Sequence, residues 1–405
     1  MALVDALKQL ANLTHLELNL SANAIGAEGC KALIEALKHL PNLSTLKLNL
    51  KDNNIRQNVG AYLEPNVGAE LVKTLKYLPK LTKLQLNLDS YHLGEDGCKV
   101  LAESLKYLPN LTDLQLDLPG TGYDNPIGIS GSDALAAALR QLPNLSRLQL
   151  YLPANNLGDS GCSALASAIK QLTNLTELEL DLSSNEIAAT GGKALAEMLQ
   201  QLTNLTLLQL NFAHNYELAG GMVLASGLKA LSKLTRLQLN LAYTISEEAH
   251  CMLLAASLKQ LTTLIQLQLN LCCNKISVAG CKELSAALKQ LVNLTSLQLD
   301  FSSDMHLGDE VAQALADALT LLQLTNFELN HSNNNISDSG CQALAAMLKQ
   351  MPSLIHLNLN LHHNVIGKEG GTALDEALQR LHKLISLSVD FSDNIDNEPN
   401  HYLTF

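Results

Sequence analysis

The sequence predicts an α/β solenoid: a horseshoe with a concave parallel β-sheet of about 13 strands and α-helices on the convex side. Three observations carry that expectation. The first is a phrase written thirteen times, Leu13-x-x-Leu16-x-Leu18-x-Leu20-x-x-Asn23-x-Ile25-Gly26 in its first copy. It restarts at Leu43, Leu81, Leu111, Leu145, Leu175, Leu205, Leu234, Leu264, Leu294, Leu324, Leu354 and Leu384, in steps of 30, 38, 30, 34, 30, 30 and 29 residues and then five of 30. Units of that size cannot bury an apolar face alone and must stack on their neighbours. The second is that each copy contains two hydrophobic periods, one of a strand and one of a helix. The third is composition: 47% hydrophobic, 3% aromatic and no Trp, so Leu and Ala must fill a continuous core.

Within the first copy, Leu16, Leu18 and Leu20 alternate with Glu17 and Asn19, the pattern of a strand with one buried face. A corner Asn follows and recurs as Asn23, Asn53, Asn155, Asn185, Asn215, Asn274, Asn334, Asn364 and Asn394, with Tyr91, Thr244 or Asp304 elsewhere. A side-chain amide there pairs with loop backbone groups that stacking would otherwise bury unpaired. Gly29 then opens a segment in which Leu33, Leu37 and Leu40 recur at helical spacing beside Ala32 and Ala36. Lys38 lies near the helix end, where a cation is favoured, and Pro41 or its equivalents stop the helix. Because a helix is wider than the spacing between strands, the stack must curve, with an inner arc of about 58 Å over twelve steps. Met1 to Lys8 aligns with Lys31 to Lys38, so the chain opens inside a helical half-repeat and is amphipathic there rather than a signal peptide. That beginning leaves two readings open: another element covers the first strand edge, or the chain is part of a longer protein. The expected organisation is one solenoid domain, residues 1–396, followed by a tail, 397–405.

At these residues the chain resembles the leucine-rich repeat superfamily, specifically its ribonuclease-inhibitor-like class with an α-helix in every repeat. The Leu-x-x-Leu-x-Leu strand, the Asn-x-Ile/Leu corner and the Gly-x-x-x-Leu helix opening carry the likeness over about residues 3–396. The usual Leu-x-Leu-x-x-Asn is lengthened here to Leu-x-Leu-x-Leu-x-x-Asn, a form similar to arrays abundant in ciliated protozoa. The resemblance implies a non-enzymatic scaffold that binds a protein partner through the concave face and the strand-to-helix loop rim. It also includes Ran GTPase-activating proteins and ribonuclease inhibitors, and so a regulator of an enzyme in trans. A strongly acidic tail is usual in the former, whereas Asn397 to Phe405 holds one carboxylate side chain, Glu398; few cysteines and no Trp stand against the latter. A third role is an architectural subunit of a large ciliary or ribosome-associated assembly.

Composition narrows the partners. A net charge of −12 opposes binding to nucleic acid or an anionic membrane. The charge is uneven: residues 1–110 hold 12 Lys/Arg against 11 Asp/Glu, the remainder 15 against 28, so a basic partner would prefer the C-terminal two-thirds. No run approaches 18 apolar residues, so no membrane span is expected. Six of eight cysteines, Cys30, Cys98, Cys162, Cys251, Cys281 and Cys341, share one repeat position that elsewhere holds Gly192, Met222, Val311 or Gly371, which reads as a small apolar packing slot. Cys272 and Cys273 fall in a loop. This usage suits a reduced, cytoplasmic setting, ciliary or cytoskeletal structures included. The Asn-x-Ser/Thr sequons at Asn12, Asn42, Asn110, Asn144, Asn174, Asn204 and Asn293 share one register and read as by-products of the repeat.

Chemistry is sparse. The sequence has no Gly-rich phosphate loop, Cys-x-x-Cys pair or His-Glu-x-x-His. His331 replaces an inward Leu. His362-His363 align with Cys272-Cys273 three repeats earlier, about 15 Å away along the stack and too far to share a metal. No catalytic residue, cofactor or metal ligand set is therefore expected.

The outward strand positions are repetitive: Glu, Gln or Lys from Glu17 to Glu328, then Asn or Asp in twelve of thirteen repeats, the exception being Tyr151. One column varies: His15, Thr45, Lys83, Asp113, Arg147, Glu177, Leu207, Arg236, Gln266, Ser296, Asn326, His356 and Ser386. Insertions fall in the second and fourth repeats. The first repeats itself, Asn58-Val59-Gly60-Ala61 then Asn66-Val67-Gly68-Ala69; the second runs from Pro119 to Pro126. Tyrosines gather in the same region, and tyrosine buries much area with few rotors. The candidate protein-binding patch is accordingly Tyr62, Lys83, Tyr91, Tyr123, Asp124, Arg147 and Tyr151, on repeats two to five.

Overall fold

The computed structural model describes residues 2–53, 67–88, 93–120, 126–218, 220–244, 248–303 and 307–394. Of the candidate residues, Tyr62, Tyr91, Tyr123 and Asp124 lie outside these, as do the corner replacements Tyr91 and Asp304 and the tail 397–405. The chain divides into two compact units, residues 1–205 and 206–405.

In the first unit β1 (His15–Asn19), β2 (Thr45–Asn49), β3 (Lys83–Asn87), β4 (Asp113–Asp117), β5 (Arg147–Tyr151) and β6 (Glu177–Asp181) pair in parallel and in chain order. In the second, β7 (Leu207–Asn211), β8 (Arg236–Asn240), β9 (Gln266–Asn270), β10 (Ser296–Asp300), β11 (Asn326–Asn330), β12 (His356–Asn360) and β13 (Ser386–Asp390) do the same. The described residues thus hold thirteen parallel strands, as the repeat count predicts. Register stays in phase across both insertions, since Thr45 faces Lys83 and Asp113 faces Arg147. A slip of one residue would turn every buried Leu to the open face, so the buried stripe holds the register.

A helix follows the strand in each of the first twelve repeats. Gly26–Leu37, Gly94–Leu105 and Gly158–Ile169 are full examples, whereas the described residues of the second repeat hold a helix, Val67–Val72, running into a 3-10 turn, Lys73–Tyr77. The inward strand residues Leu46, Leu84, Leu114, Leu148 and Leu178 are completely buried. Each such leucine contributes about 1.5–3 kcal/mol of apolar burial, so the repeated stripe supplies most of the driving force. Cys30, Cys98, Cys162, Cys251, Cys281 and Cys341 are buried between neighbouring helices and are not disulfide-bonded. Burial pushes the thiols of Cys98, Cys162 and Cys341 up to about 12, so they serve as packing groups rather than thiolates.

Side-chain ladders satisfy the polar backbone. Asn53 Oδ1 accepts from the backbone N–H groups of Asn23 and Ile25, at 3.1 and 3.2 Å, in the preceding repeat. Its Nδ2 donates to Leu20 O and Leu50 O, both at 2.8 Å. Ala24, between the two donors, has a left-handed φ of 48°, and that alternation of handedness gathers successive N–H groups onto one acceptor. Asn185, Asn274, Asn364 and Asn394 also reach back to the preceding repeat. Thr244 has a shorter side chain and donates only to Leu241 O.

The sequons have a structural cause as well. Asn42, Asn144, Asn174, Asn204 and Asn293 donate through Nδ2 to a backbone carbonyl about one repeat earlier, at 2.9 to 3.2 Å. The hydroxyls of Ser44, Ser146 and Thr176 donate to Thr14 O, Thr112 O and Ser146 O. Two ladders, two residues apart, write the Asn-x-Ser/Thr pattern. At the helix starts, Asp309 Oδ1 accepts from Ser337 N and Gly340 N of the next helix at 2.8 and 3.0 Å, where the helix dipole favours a carboxylate. A Cβ on Gly340 would stand 2.4 Å from that oxygen, which accounts for the glycine.

Candidate protein-binding face

Alternate strand residues point away from the leucine core and form an open polar face. On the first unit this face is laced by contacts between neighbouring strands. Lys47 Nζ pairs with Glu17 Oε2 at 3.1 Å. Arg147 bridges two strands, with Nη1 3.1 Å from Asp113 Oδ2 and Nε 2.6 Å from Glu177 Oε2. The Asp113 side chain is only 8% exposed, so removing Arg147 would leave a nearly buried carboxylate without its cation. Arg147 is thus both a candidate contact and a strut, its guanidinium held more firmly protonated chiefly by the bond to Glu177.

The Asn/Asp column is also structural. Asn19 Oδ1 accepts from Ser21 N, Asn49 from Lys51 N, and Asp181 from Ser183 N, closing an Asx turn at the strand end. That turn needs an N–H two residues on. Pro119 and Pro153 have none, and these follow Asp117 and Tyr151. Asp117 instead accepts from Asn87 Nδ2 at 2.7 Å, and Tyr151 donates its hydroxyl to Glu179 Oε2 at 2.6 Å. Half-burial first, and then the Glu179 carboxylate, raise the phenol above its ordinary range. The outlier at Tyr151 therefore stands where the standard turn is impossible.

A shallow depression of about 220 Å³ opens on β1–β4, lined by Glu17, Asn19, Lys47, Asn49, Gln85, Asn87 and Gln115. Lys83 is exposed on β3 and makes no ion pair among the described residues. The structure thus puts Lys83, Arg147 and Tyr151 on one sheet face, on β3 and β5 with β4 between them.

Two rim features of the second unit escaped the sequence reading. His214 stacks on Tyr243, centroids 4.6 Å apart, and Tyr216 meets Tyr243 edge-on at 6.2 Å. Tyr216 is 66% exposed, and Cys273 bonds to Tyr243 and raises its phenol. His214, Tyr243 and Cys273 each precede a corner residue and have left-handed φ values of 58 to 60°. Their spacing of 29 and 30 residues was the available signal. In the same column His363 meets Asp393, and His362, His363 and Asp393 form a group with ligand atoms within 4.8 Å of one another.

Comparison with known proteins agrees with the architecture. A family model described as Leucine Rich repeat matches residues 12–33, 171–196, 328–345 and 352–374. A chain in the crystal structure of the Rad7 and Elc1 complex in yeast is similar with a TM-score of 0.53 and 18% identity, over 98% of this chain and 90% of that one. No curated protein matches. Thirteen parallel strands, recurring helices and matched motifs give the described residues a leucine-rich repeat fold, a fold that fits a protein-interaction scaffold. No helix among the described residues is long and apolar enough to cross a membrane.

Proposed function

We propose that the protein is a non-enzymatic interaction scaffold that takes a protein partner on the sheet face of repeats two to five and on the adjoining strand-to-helix rim. The observation that carries this reading is the depression on β1–β4 beside an exposed Lys83 with no ion pair among the described residues, on a face where Lys47 and Arg147 are each tied in cross-strand ion pairs. A surface already ordered loses little side-chain entropy on binding, and one uncompensated cation attracts an acidic group. Helix-bearing repeats support placement with the ribonuclease-inhibitor-like class, and the absence of a membrane-spanning helix among the described residues suits a cytoplasmic site. Regulation of an enzyme in trans and service in a large assembly differ in what the partner is.

The test is affinity capture from native cells with wild type and three variants. Lys83→Glu with Gln115→Glu alters the sheet face, Tyr216→Ala with Tyr243→Ala the second unit's rim, and Lys282→Glu the helix side. The expected result is loss of the captured partner with the first variant alone. A partner retained by that variant and lost with the rim variant would move the site to the second unit; retention by all three sinks the reading. A GTPase, a nuclease or a large particle among the captured species would decide the role.

A further inference from the structure

The corner of the last two repeats brings together side chains that the sequence keeps a repeat apart. We propose that His362, His363 and Asp393 form a binding site for a divalent first-row metal ion such as zinc, with at least one coordination position open. His362 N donates to Asn360 Oδ1 at 3.1 Å, which fixes the start of the corner. His363 N donates to Ser392 O at 3.1 Å, so His363 is anchored one residue from Asp393. The backbone is left-handed at both His363 and Asp393, with φ of 51° and 55°, and the two occupy equivalent places in adjacent repeats. Below them, the corner ladder locks the loops: Asn394 Nδ2 donates to Leu361 O at 3.0 Å, and Ile366 N donates to Asn394 Oδ1 at 3.0 Å.

The spacing suits a metal better than a hydrogen bond. His363 Nδ1 lies 3.4 Å from Asp393 Oδ2, longer than a good charge-assisted bond. About 3.4 Å is the edge of a tetrahedron whose centre is about 2.1 Å from each corner, the zinc–nitrogen and zinc–oxygen bond length. The two imidazoles lie with ring centroids 4.5 Å apart, and one ligand atom from each of the three residues falls within 4.8 Å of the others. Small side-chain rotations close that triangle around an ion. Asp390, held by Ser392 N at 3.1 Å and Ser392 Oγ at 2.7 Å, adds a second negative charge acting on both histidines. Two imidazoles with a carboxylate favour zinc and its neighbours over calcium or magnesium, and the half-buried to exposed position leaves room for water or a partner's side chain. Cys272 and Cys273, about 15 Å away at three strand spacings, are not part of the set.

The test is calorimetric titration of the full, tag-free chain with zinc chloride at pH 7.5, with cobalt absorption spectra as a second readout. One equivalent is expected to bind, with visible cobalt bands that zinc abolishes. His363→Gln and Asp393→Asn, both changes at exposed side chains, should each weaken binding at least tenfold, and Cys272→Ser with Cys273→Ser should leave it unchanged. Affinity should fall on acidification, because protons compete with the ion for the ligand atoms. No binding at one equivalent, binding indifferent to His363→Gln and Asp393→Asn, or binding lost with the cysteine variant would each overturn the proposal.

Discussion

His331 occupies an inward position taken by Leu241, Leu271 and Leu361 in other repeats, and it is completely buried. Its Nδ1 accepts from Asn334 Nδ2 at 2.9 Å, which puts the ring proton on Nε2, an atom with no partner. Burial lowers its pKa to about 4, so the folded protein holds the ring neutral. The unfolded chain titrates near 6.5, and the linkage follows from that difference. Stability from this group is fully present above about 6.5 and is lost as the pH falls from there towards 4. Between pH 7.5 and pH 5 the loss amounts to about 2 kcal/mol. His331→Leu should remove that increment, and at pH 7.5 it should also relieve the orphaned Nε2–H. Urea unfolding at the two pH values checks it: the wild type should lose about 2 kcal/mol more than the variant on acidification. Equal losses would mean that the ring finds a partner when protonated. The sequence showed the polar intruder but not its burial cost, because that depends on a second residue, Asn334, that fixes the tautomer.

At the scale of the element, the corner Asn shows how a recurring residue acquires its weight. Asn364 Oδ1 accepts from Asn334 N and Ile336 N at 3.1 and 2.9 Å, while Nδ2 donates to His331 O and Leu361 O at 3.0 and 2.9 Å. Alanine there would orphan two donors, Asn334 N and Ile336 N, and one acceptor, His331 O, among buried neighbours, while Leu361 O keeps Asn394 Nδ2. Such groups cost about 1–3 kcal/mol each when left unpaired, partly relieved by relaxation, so Asn364→Ala should destabilise by about 3 kcal/mol. Chemical denaturation measures this, and a change below about 1 kcal/mol would show that water replaces the amide. These ladders, the strands, the helices and the cysteine slots were legible because each is written at a fixed place in the period. What the sequence hid was the pairing of two irregularities. Tyr151 stands out in the sequence as a candidate contact, and its place also has a structural cause: Pro153, two places on, lacks the N–H that the usual Asx turn needs. Arg147 stands in the varying column of the sequence, and only the structure shows that Asp113 and Glu177, a repeat away on either side, clasp it. Asp393 is hidden for the complementary reason: it lies one repeat on from His363, and an acidic residue at that place carries no signal of its own in the sequence.

At the scale of the molecule, each compact unit has only local cohesion, repeat against adjacent repeat. In the second unit the helix Asp338–Leu348 packs on Asp309–Leu319 and on Lys368–Leu378, and strands pair only with their neighbours in chain order. Stability in such an array is close to a sum of repeat terms and nearest-neighbour terms, so damage should spread a short way and fade. Asn364→Ala makes this measurable, because the residue ties its own repeat to the one before it. Hydrogen exchange followed by mass spectrometry should show the amides of β11–β13 and the helices Asp338–Leu348 and Lys368–Leu378 opening faster in the variant. Protection across β9 and β8, three and four repeats away, should remain unchanged. An ordinary globular core would respond otherwise, with every slowly exchanging amide shifting by one increment. A uniform shift from β7 to β13 would therefore mean that the unit unfolds as a single cooperative body. A graded response would also bear on binding. It would leave the sheet face of the first unit intact while the rim around His362 and His363 opens, so partner capture and metal binding should respond to Asn364→Ala in opposite ways: the first retained, the second weakened.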